Sequence, residues 1–346
     1  MNTDKEMKGL SPKQVTIKDV AKRAGVSVAS VSRALNGLGG ISEETRDYVL
    51  RVCEEMAYVP NSLARGLVMR DTQTLGIVVP DITSPFYAEL MVLAADEAKQ
   101  YGYQVLLCNS FRDYETETNY FKLLIGNQVE GILFFPVGDL SAGNLYQFMR
   151  YVPIISLNEM PEGSPIPYVC ADEESCGRLA AEYLIQNGCR SLMMVGVKEE
   201  RLAHRYRKAG FLKAAGERGV EVRVFESGNS YKNSFERGYG EFLEFLKESK
   251  ELPDGVAGVS DATANGVIKA CMERGIRIPE ELALVGIDNI NADLPVMELT
   301  TVAISHRLHV QKALELMLRM KERSLSRQER HLHLEPRLIE RASGRR

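Results

Sequence analysis

Between Thr16 and Tyr58 the apolar positions recur at helical spacing in three short runs separated by turn residues. Thr16 followed by Asp19 has the spacing of a capping box, in which the hydroxyl accepts from a first-turn amide and the acid answers, so a helix starts at Ile17. Ile17, Val20, Ala21 and Ala24 form its inner face, and Gly25 sits where the chain must turn. Ser27 caps a second helix, in which Val28, Val31 and Leu35 alternate with Ser30, Ser32 and Arg33 before Asn36-Gly37 ends it. Ser42 caps a third, with Val49, Leu50, Val52, Cys53 and Met56 as the inward stripe and Tyr58-Val59-Pro60-Asn61 as the stop.

From Ser62 to Arg70 the chain has length for about two helical turns, too few to be stable alone, and Gly66 costs a helix ~0.8–1.0 kcal/mol relative to Ala. Beyond Thr74 the period changes. The runs TLGIVV, YQVLLC, GILFF and VPIISL each precede an amphipathic helical pattern, and SLMMVG, VRVF, GVAGVS and LALVGI repeat the rhythm. Apolar runs alternating with helices predict parallel strands covered on both faces, and eight of them predict two doubly wound sheets with a ligand crevice between. The C-terminal stretch from His331 to Arg341 reads as extended, because Pro336 rules out a helix through it.

The expected fold class is thus α/β, with a three-helix head, a hinge and two doubly wound parallel-sheet lobes. The boundaries are an N-terminal extension over 1–14, a head over 15–60, a hinge over 61–72, a first lobe over 73–158 and 303–325, and a second over 159–302 and 326–343.

Charge sharpens this picture. The overall −4 divides into +3 for residues 1–70 and −7 for the rest, so a basic head that meets a polyanion sits on an acidic body. Six Cys without a C-x-x-C pair and five scattered His offer no metal spacing, so neither a metal nor a cofactor is expected. The polar first fourteen residues lack a signal-peptide core and no apolar run nears a membrane span, which predicts a cytoplasmic protein without a membrane partner.

Two helices joined by a tight Gly-containing turn, the second opening in small polar residues, describe a helix-turn-helix whose second helix fits the major groove. The run VTIKDVAKRAGVSVASVSRALN from Val15 to Asn36, with Thr45-Arg46 and Tyr58-Val59-Pro60-Asn61, closely resembles the head of the lactose repressor family of bacterial transcription regulators. The likeness continues in Leu63-Ala64-Arg65-Gly66-Leu67, in the segment from Pro80 to Tyr87, and in Ile278-Pro279-Glu280-Glu281, Val285-Gly286-Ile287-Asp288 and Leu299-Thr300-Thr301-Val302.

That resemblance implies a dimer on a palindromic operator. Val28, Ala29 and Arg33 would face base edges: Arg33 can pair bidentately with guanine, while Val28 and Ala29 offer apolar contact. Thr16, Ser27, Ser32 and Asn36 would bind phosphate oxygens. In the hinge, Arg65 and Leu67 would act on DNA, with Leu67 wedging into a base step of the minor groove. For the core, the likeness implies a periplasmic-binding-protein-like pair of lobes around a small sugar-like or nucleoside-like effector. Phe86 and Tyr87, at the carboxyl end of the first strand, would present aromatic faces. Arg207 aligns with an effector-binding Arg of the family, and Arg201 with a second. Asp261 and Asp288, at strand ends, would accept ligand hydroxyls, with a helix N-cap as the rival role for Asp261. Asn158 ends VPIISL at a position often acidic in the family.

An effector-responsive repressor is the expected function. The alternatives are a solute-binding protein, against which the basic head argues, and a sugar- or nucleotide-metabolising enzyme. No G-x-G-x-x-G after the first strand, P-loop or G-x-S-x-G favours the enzyme. Only Ala342 to Arg346 follow the closing segment, too few for the heptads of a tetramerising helix, so assembly should stop at a homodimer paired through the core.

Overall fold

The computed structural model describes residues 15–59, 72–138, 145–249, 251–290, 297–322 and 325–345. Residues 1–14, Arg65, Leu67 and nearly all of the hinge lie outside these. The chain divides into two compact units, residues 1–72 and 73–346.

The first unit holds α1 (Ile17–Ala24), α2 (Val28–Leu35) and α3 (Glu43–Glu55). The capping box forms: the Asp19 amide donates to Thr16 Oγ1, and the Thr16 amide donates to Asp19 Oδ2 at 2.9 Å. Gly25 turns the chain with φ +68°, in the left-handed region that glycine enters freely. Val20, Val31, Val49, Val52 and Cys53 make the buried core between the helices. Leu50 is a correction to the expected stripe. Its neighbours Val49, Val52 and Cys53 already occupy the inner face, and one residue on from Val49 turns Leu50 outward.

The second unit contains two six-stranded sheets, each flanked by helices. The first carries β1 (Thr74–Val79), β2 (Gln104–Asn109), β3 (Gly131–Phe134), β4 (Ile154–Ser156), β5 (Tyr168–Ala171) and β11 (His331–Leu334), in the order β11-β5-β4-β3-β1-β2 and all parallel. The second carries β6 (Ser191–Val195), β7 (Glu221–Val224), β8 (Gly255–Gly258), β9 (Ala283–Ile287), β10 (Thr300–Ala303) and an antiparallel edge strand β12 (Arg337–Ile339), in the order β12-β10-β9-β8-β6-β7. Among the described residues this unit's α-helices are α4 (Pro85–Gln100), α5 (Tyr114–Gly126), α6 (Glu173–Gln186), α7 (Leu202–Glu217), α8 (Ser234–Glu248), α9 (Asp261–Arg274), α10 (His306–Glu322) and α11 (Arg327–Arg330). Separate apolar clusters cover the two faces of each sheet, which is why the central strands such as β3, β4, β8 and β9 are buried along their whole length rather than alternating.

The lobe boundaries differ from those expected. The chain crosses between sheets after β5, after β10 and between β11 and β12, so residues 168–171 and 331–334 belong to the first lobe rather than the second. Tyr168-Val169-Cys170-Ala171 follows a Pro- and Gly-rich stretch and is four residues long, and His331-Leu332-His333-Leu334 lacks an apolar run. Neither is among the eight apolar runs that set the rhythm.

Candidate DNA-reading face and effector cleft

On α2, Val31 and Ala34 point into the head core. Val28, Ala29 and Arg33 are exposed and Ser32 half-buried, positions that share the opposite face of the helix. Val28 is 41% exposed, so it is free for apolar contact rather than spent on the core. Arg33 lies beside Gly40, whose added Cβ would stand 3.8 Å from its guanidinium carbon. Arg46 donates to the Leu38 carbonyl at 3.1 Å and braces the same α2–α3 loop, a role that sequence reading did not assign. Thr16 and Ser27 are exposed at two helix N-termini, each already bonded as a cap. Asn36 donates to the Ser32 carbonyl at 2.9 Å, so its amide nitrogen is engaged in closing α2. The exposed cations Lys18, Lys22, Arg23 and Arg51 complete the basic character of the head.

In each core sheet the strand order reverses once, between β1 and β3 and between β6 and β8, and doubly wound sheets bind ligands beyond the carboxyl ends of their strands at such switch points. A cavity of about 180 Å³ lies there, lined from β1 by Phe86 and Tyr87, from β4 by Asn158, from β6 by Arg201 and Arg207, from β8 by Asp261 and from β9 by Asp288. Every core residue singled out from sequence reaches it. Its volume is below the ~300–1,000 Å³ of pockets for drug-sized molecules, so the occupant is small.

Phe86 and Tyr87 are half-buried, packed edge-to-face on Phe135 at 5.7 and 5.0 Å, so each ring is both core and cleft wall. Arg207 is buried. Its Nε and Nη2 donate to the two oxygens of Glu173 at 2.6 and 3.1 Å, Nη1 donates to the Val259 carbonyl at 2.7 Å, and Nη2 also lies 3.1 Å from Asp288 Oδ1. Glycine makes this approach feasible: a Cβ on Gly177 would stand 1.8 Å from the Arg207 carbonyl oxygen, and one on Gly210 1.9 Å from that of Glu174. Glu173 escaped sequence reading because the short β5 that ends beside it was not recognised.

Two carboxylates thus share one guanidinium. Burial pushes the Asp288 carboxyl up to about 6, with the charge of Glu173 adding to it and Arg207 opposing. Asp288 also holds φ +124°, a conformation rare for a residue with a Cβ, and such strain clusters at binding sites. Asp261 lines the cavity and does not take the rival role of helix N-cap. Ser260 is the N-cap of α9, and Asp261 accepts from Thr301 Oγ1 at 2.6 Å and from the Ile290 amide at 2.9 Å, one bond to each oxygen. Burial, then the charge of Asp288, raise its carboxyl to about 7. It ties α9 to β10 and to the loop after β9. The side-chain amide of Asn158 makes no hydrogen bond among the described residues and faces the cavity.

One mixed donor set occurs among the described residues: Glu159, Cys170 and His333 offer ligand atoms within 4.8 Å of one another. His333 Nε2 lies 3.4 Å from Glu159, and burial foremost holds the Cys170 thiol well above its usual range. An ion pair beside a protonated thiol accounts for the cluster.

Residues 16–61 match the family model of bacterial regulatory proteins of the lacI family, and residues 181–344 match the periplasmic binding protein-like domain. Catabolite control protein A of Priestia megaterium is 34% identical over 280 residues, covering 80% of this chain and 82% of that protein. The ribose operon repressor of Halalkalibacterium halodurans is 33% identical over 292 residues, covering 83% and 84%. A lac repressor dimer bound to operator and an anti-inducer superposes with TM-score 0.83 over 96% of this chain and 99% of that one, and at 23% identity this is a likeness of fold. The regulator CelR in complex with cellobiose gives TM-score 0.67 at 26% identity, over 96% and 100%. Head, core and relatives agree, and the chain belongs to the lacI family of bacterial regulatory proteins, which makes it a DNA-binding transcription regulator.

Proposed function

We propose that this chain is a repressor that acts in the cytoplasm as a homodimer on a partly palindromic operator and responds to a small polyhydroxylated effector in the interlobe cleft. The observation that carries the reading is the cleft itself: a small cavity at two paired switch points, with Arg207 held between Glu173 and Asp288, on the same chain as an outward α2 face. Relatives named for ribose and complexed with cellobiose support a sugar-like ligand.

Arg33 reads guanine, Val28 and Ala29 meet base edges, and Thr16, Ser27 and Ser32 position the head on phosphates. One eight-residue helix contacts too few bases for specificity, so two heads are required. Pairing through the core is supported by apolar side chains that the first lobe leaves exposed, among them Val92 at 69%, Phe111 at 71%, and Leu106 and Leu107 on the edge strand β2. Arg65 and Leu67 engage the minor groove between the heads. Closing the lobes on the effector changes the spacing of the paired hinges, and with it the affinity for DNA. Fluorescence anisotropy of a duplex selected by the full chain, titrated with and without candidate sugars, tests the reading. A shift in operator affinity of about tenfold or more supports it. No shift with a sugar that calorimetry shows to bind would contradict it.

A further inference from the structure

Besides Arg207, two guanidinium groups reach the cleft, one from each lobe. Arg112, in the loop between β2 and α5, pairs through Nη2 with Asp81 at 3.0 Å, while its Nη1 is buried without a hydrogen-bond partner among the described residues. Arg201, preceding α7 on the second lobe, lines the cavity and makes no side-chain hydrogen bond or ion pair among the described residues. Burial foremost lowers its pKa, and the charge of Arg112 lowers it further. Among the described residues, the nearest acids have other partners. Asp81 also accepts from Thr83 Oγ1 at 2.6 Å, and Glu200, 70% exposed, lies 3.9 Å from Lys198 Nζ.

The helix ends add to this. Asp113, Asp172, Asn233 and Ser260 each cap their helix with a side-chain oxygen. Ser84 before α4 and Arg201 before α7 do not, and both helices begin in the cleft, one on each lobe. First-turn amides without a cap acceptor carry the positive end of the helix dipole and form an anion site. The charge of Arg112, only partly offset by Asp81, still acts on Arg201, and an anion between them relieves that cost. A phosphate monoester, with a charge near −2 and three acceptor oxygens, matches two guanidinium groups and two helix ends.

We propose that the effector is the phosphate monoester of a small polyol, its phosphate bridging Arg112 and Arg201 between the N-termini of α4 and α7 and its hydroxyls directed to Asn158 and Asp288. This rests on the cleft being the effector site. A phosphate held by both Arg112 and Arg201 draws the two lobes together, so ligand charge drives closure. The head takes no part.

The test uses the full chain with inorganic phosphate, then with ribose and glucose and the phosphate monoester of each, in calorimetry and thermal melting at matched ionic strength. Inorganic phosphate should stabilise the core of the parent and lose that effect in Arg201→Gln. At least one ester should bind about 10- to 100-fold more tightly than its neutral sugar, and Arg201→Gln should remove that advantage. Arg201→Gln orphans no partner among the described residues, so it should fold; Arg112→Gln, which does release Asp81, should act in the same direction. No effect of inorganic phosphate on the parent, or an effect unchanged in both variants, would overturn the proposal. Neutral sugars whose binding is lost in Asp288→Asn and kept in Arg201→Gln would overturn the anion while keeping the cleft. An ester that binds the parent, Arg201→Gln and Asp288→Asn alike would place the ligand elsewhere and overturn both.

Discussion

Replacing Asp288 by Asn removes one of the two negative charges around Arg207 and keeps the shape and an acceptor oxygen. Asn also tolerates the positive φ at this position better than most residues. The Asp288 side chain is 12% exposed, so solvent screens it little. Its carboxyl titrates at about 6 in the folded protein, against ~3.9 in an unfolded chain. A raised carboxyl binds its proton more tightly when folded, so its stability contribution is complete below pH ~4 and is lost as pH rises through about 6. Two pKa units correspond to ~3 kcal/mol of penalty at pH 8, which Asn does not incur. At roughly 2–4 °C per kcal/mol for a unit of this size, effector-free Asp288→Asn should melt ~6–12 °C above the parent at pH 8 and converge with it near pH 4. Asp261, raised in part by the charge of Asp288, adds in the same direction. Scanning calorimetry at several pH values between 4 and 8 measures the gap. A variant less stable than the parent at pH 8, or a gap independent of pH, would show that pairing with Arg207 outweighs burial and that Asp288 stays ionised.

Gly177→Ala should push α7 away from α6, because the new Cβ would stand 1.8 Å from the Arg207 carbonyl oxygen; a loss of ~1–3 kcal/mol in urea denaturation together with weakened effector binding is expected. Thr16→Ala should lower the stability of the head by ~0.5–2 kcal/mol through loss of the cap, read as faster amide exchange in α1. Leu67→Ala should retain nonspecific DNA binding and lose operator bending in a gel-mobility assay. Sedimentation at micromolar concentration should give twice the 38.6 kDa chain mass, and a stable tetramer without DNA would contradict pairing through the core alone.

The head was legible almost residue by residue, because caps and turns are local: Thr16, Ser27 and Ser42 each mark a helix start that the structure shows. The eight apolar runs were equally plain. β5 and β10 were not, and the extended stretch from His331 to Arg341 gave no sign that it divides into β11 and β12 on different sheets, since such pairings are set by neighbours in the sheet rather than by the segment's own sequence. With β5 went the lobe boundary and Glu173. The strand-end rule brought Asp288 and Phe86 to the cleft, yet it could not distinguish Asp288, beside Arg207, from Asp261, both of whose oxygens are engaged by Thr301 and Ile290. Such partners come from segments about 30 to 40 residues away, and no local pattern encodes them.

The most direct test of the account is selection of duplexes from a random-sequence library by the full chain, followed by sequencing of the bound fraction for the parent and for Arg33→Ala. The parent should enrich a two-fold symmetric motif with a guanine in each half-site, and Arg33→Ala should lose preference at that base, a discrimination of ~1–3 kcal/mol, while still binding DNA in low salt. Absence of any enriched motif in the parent, or the same motif enriched equally by Arg33→Ala, would contradict the assignment of α2 as the reading helix.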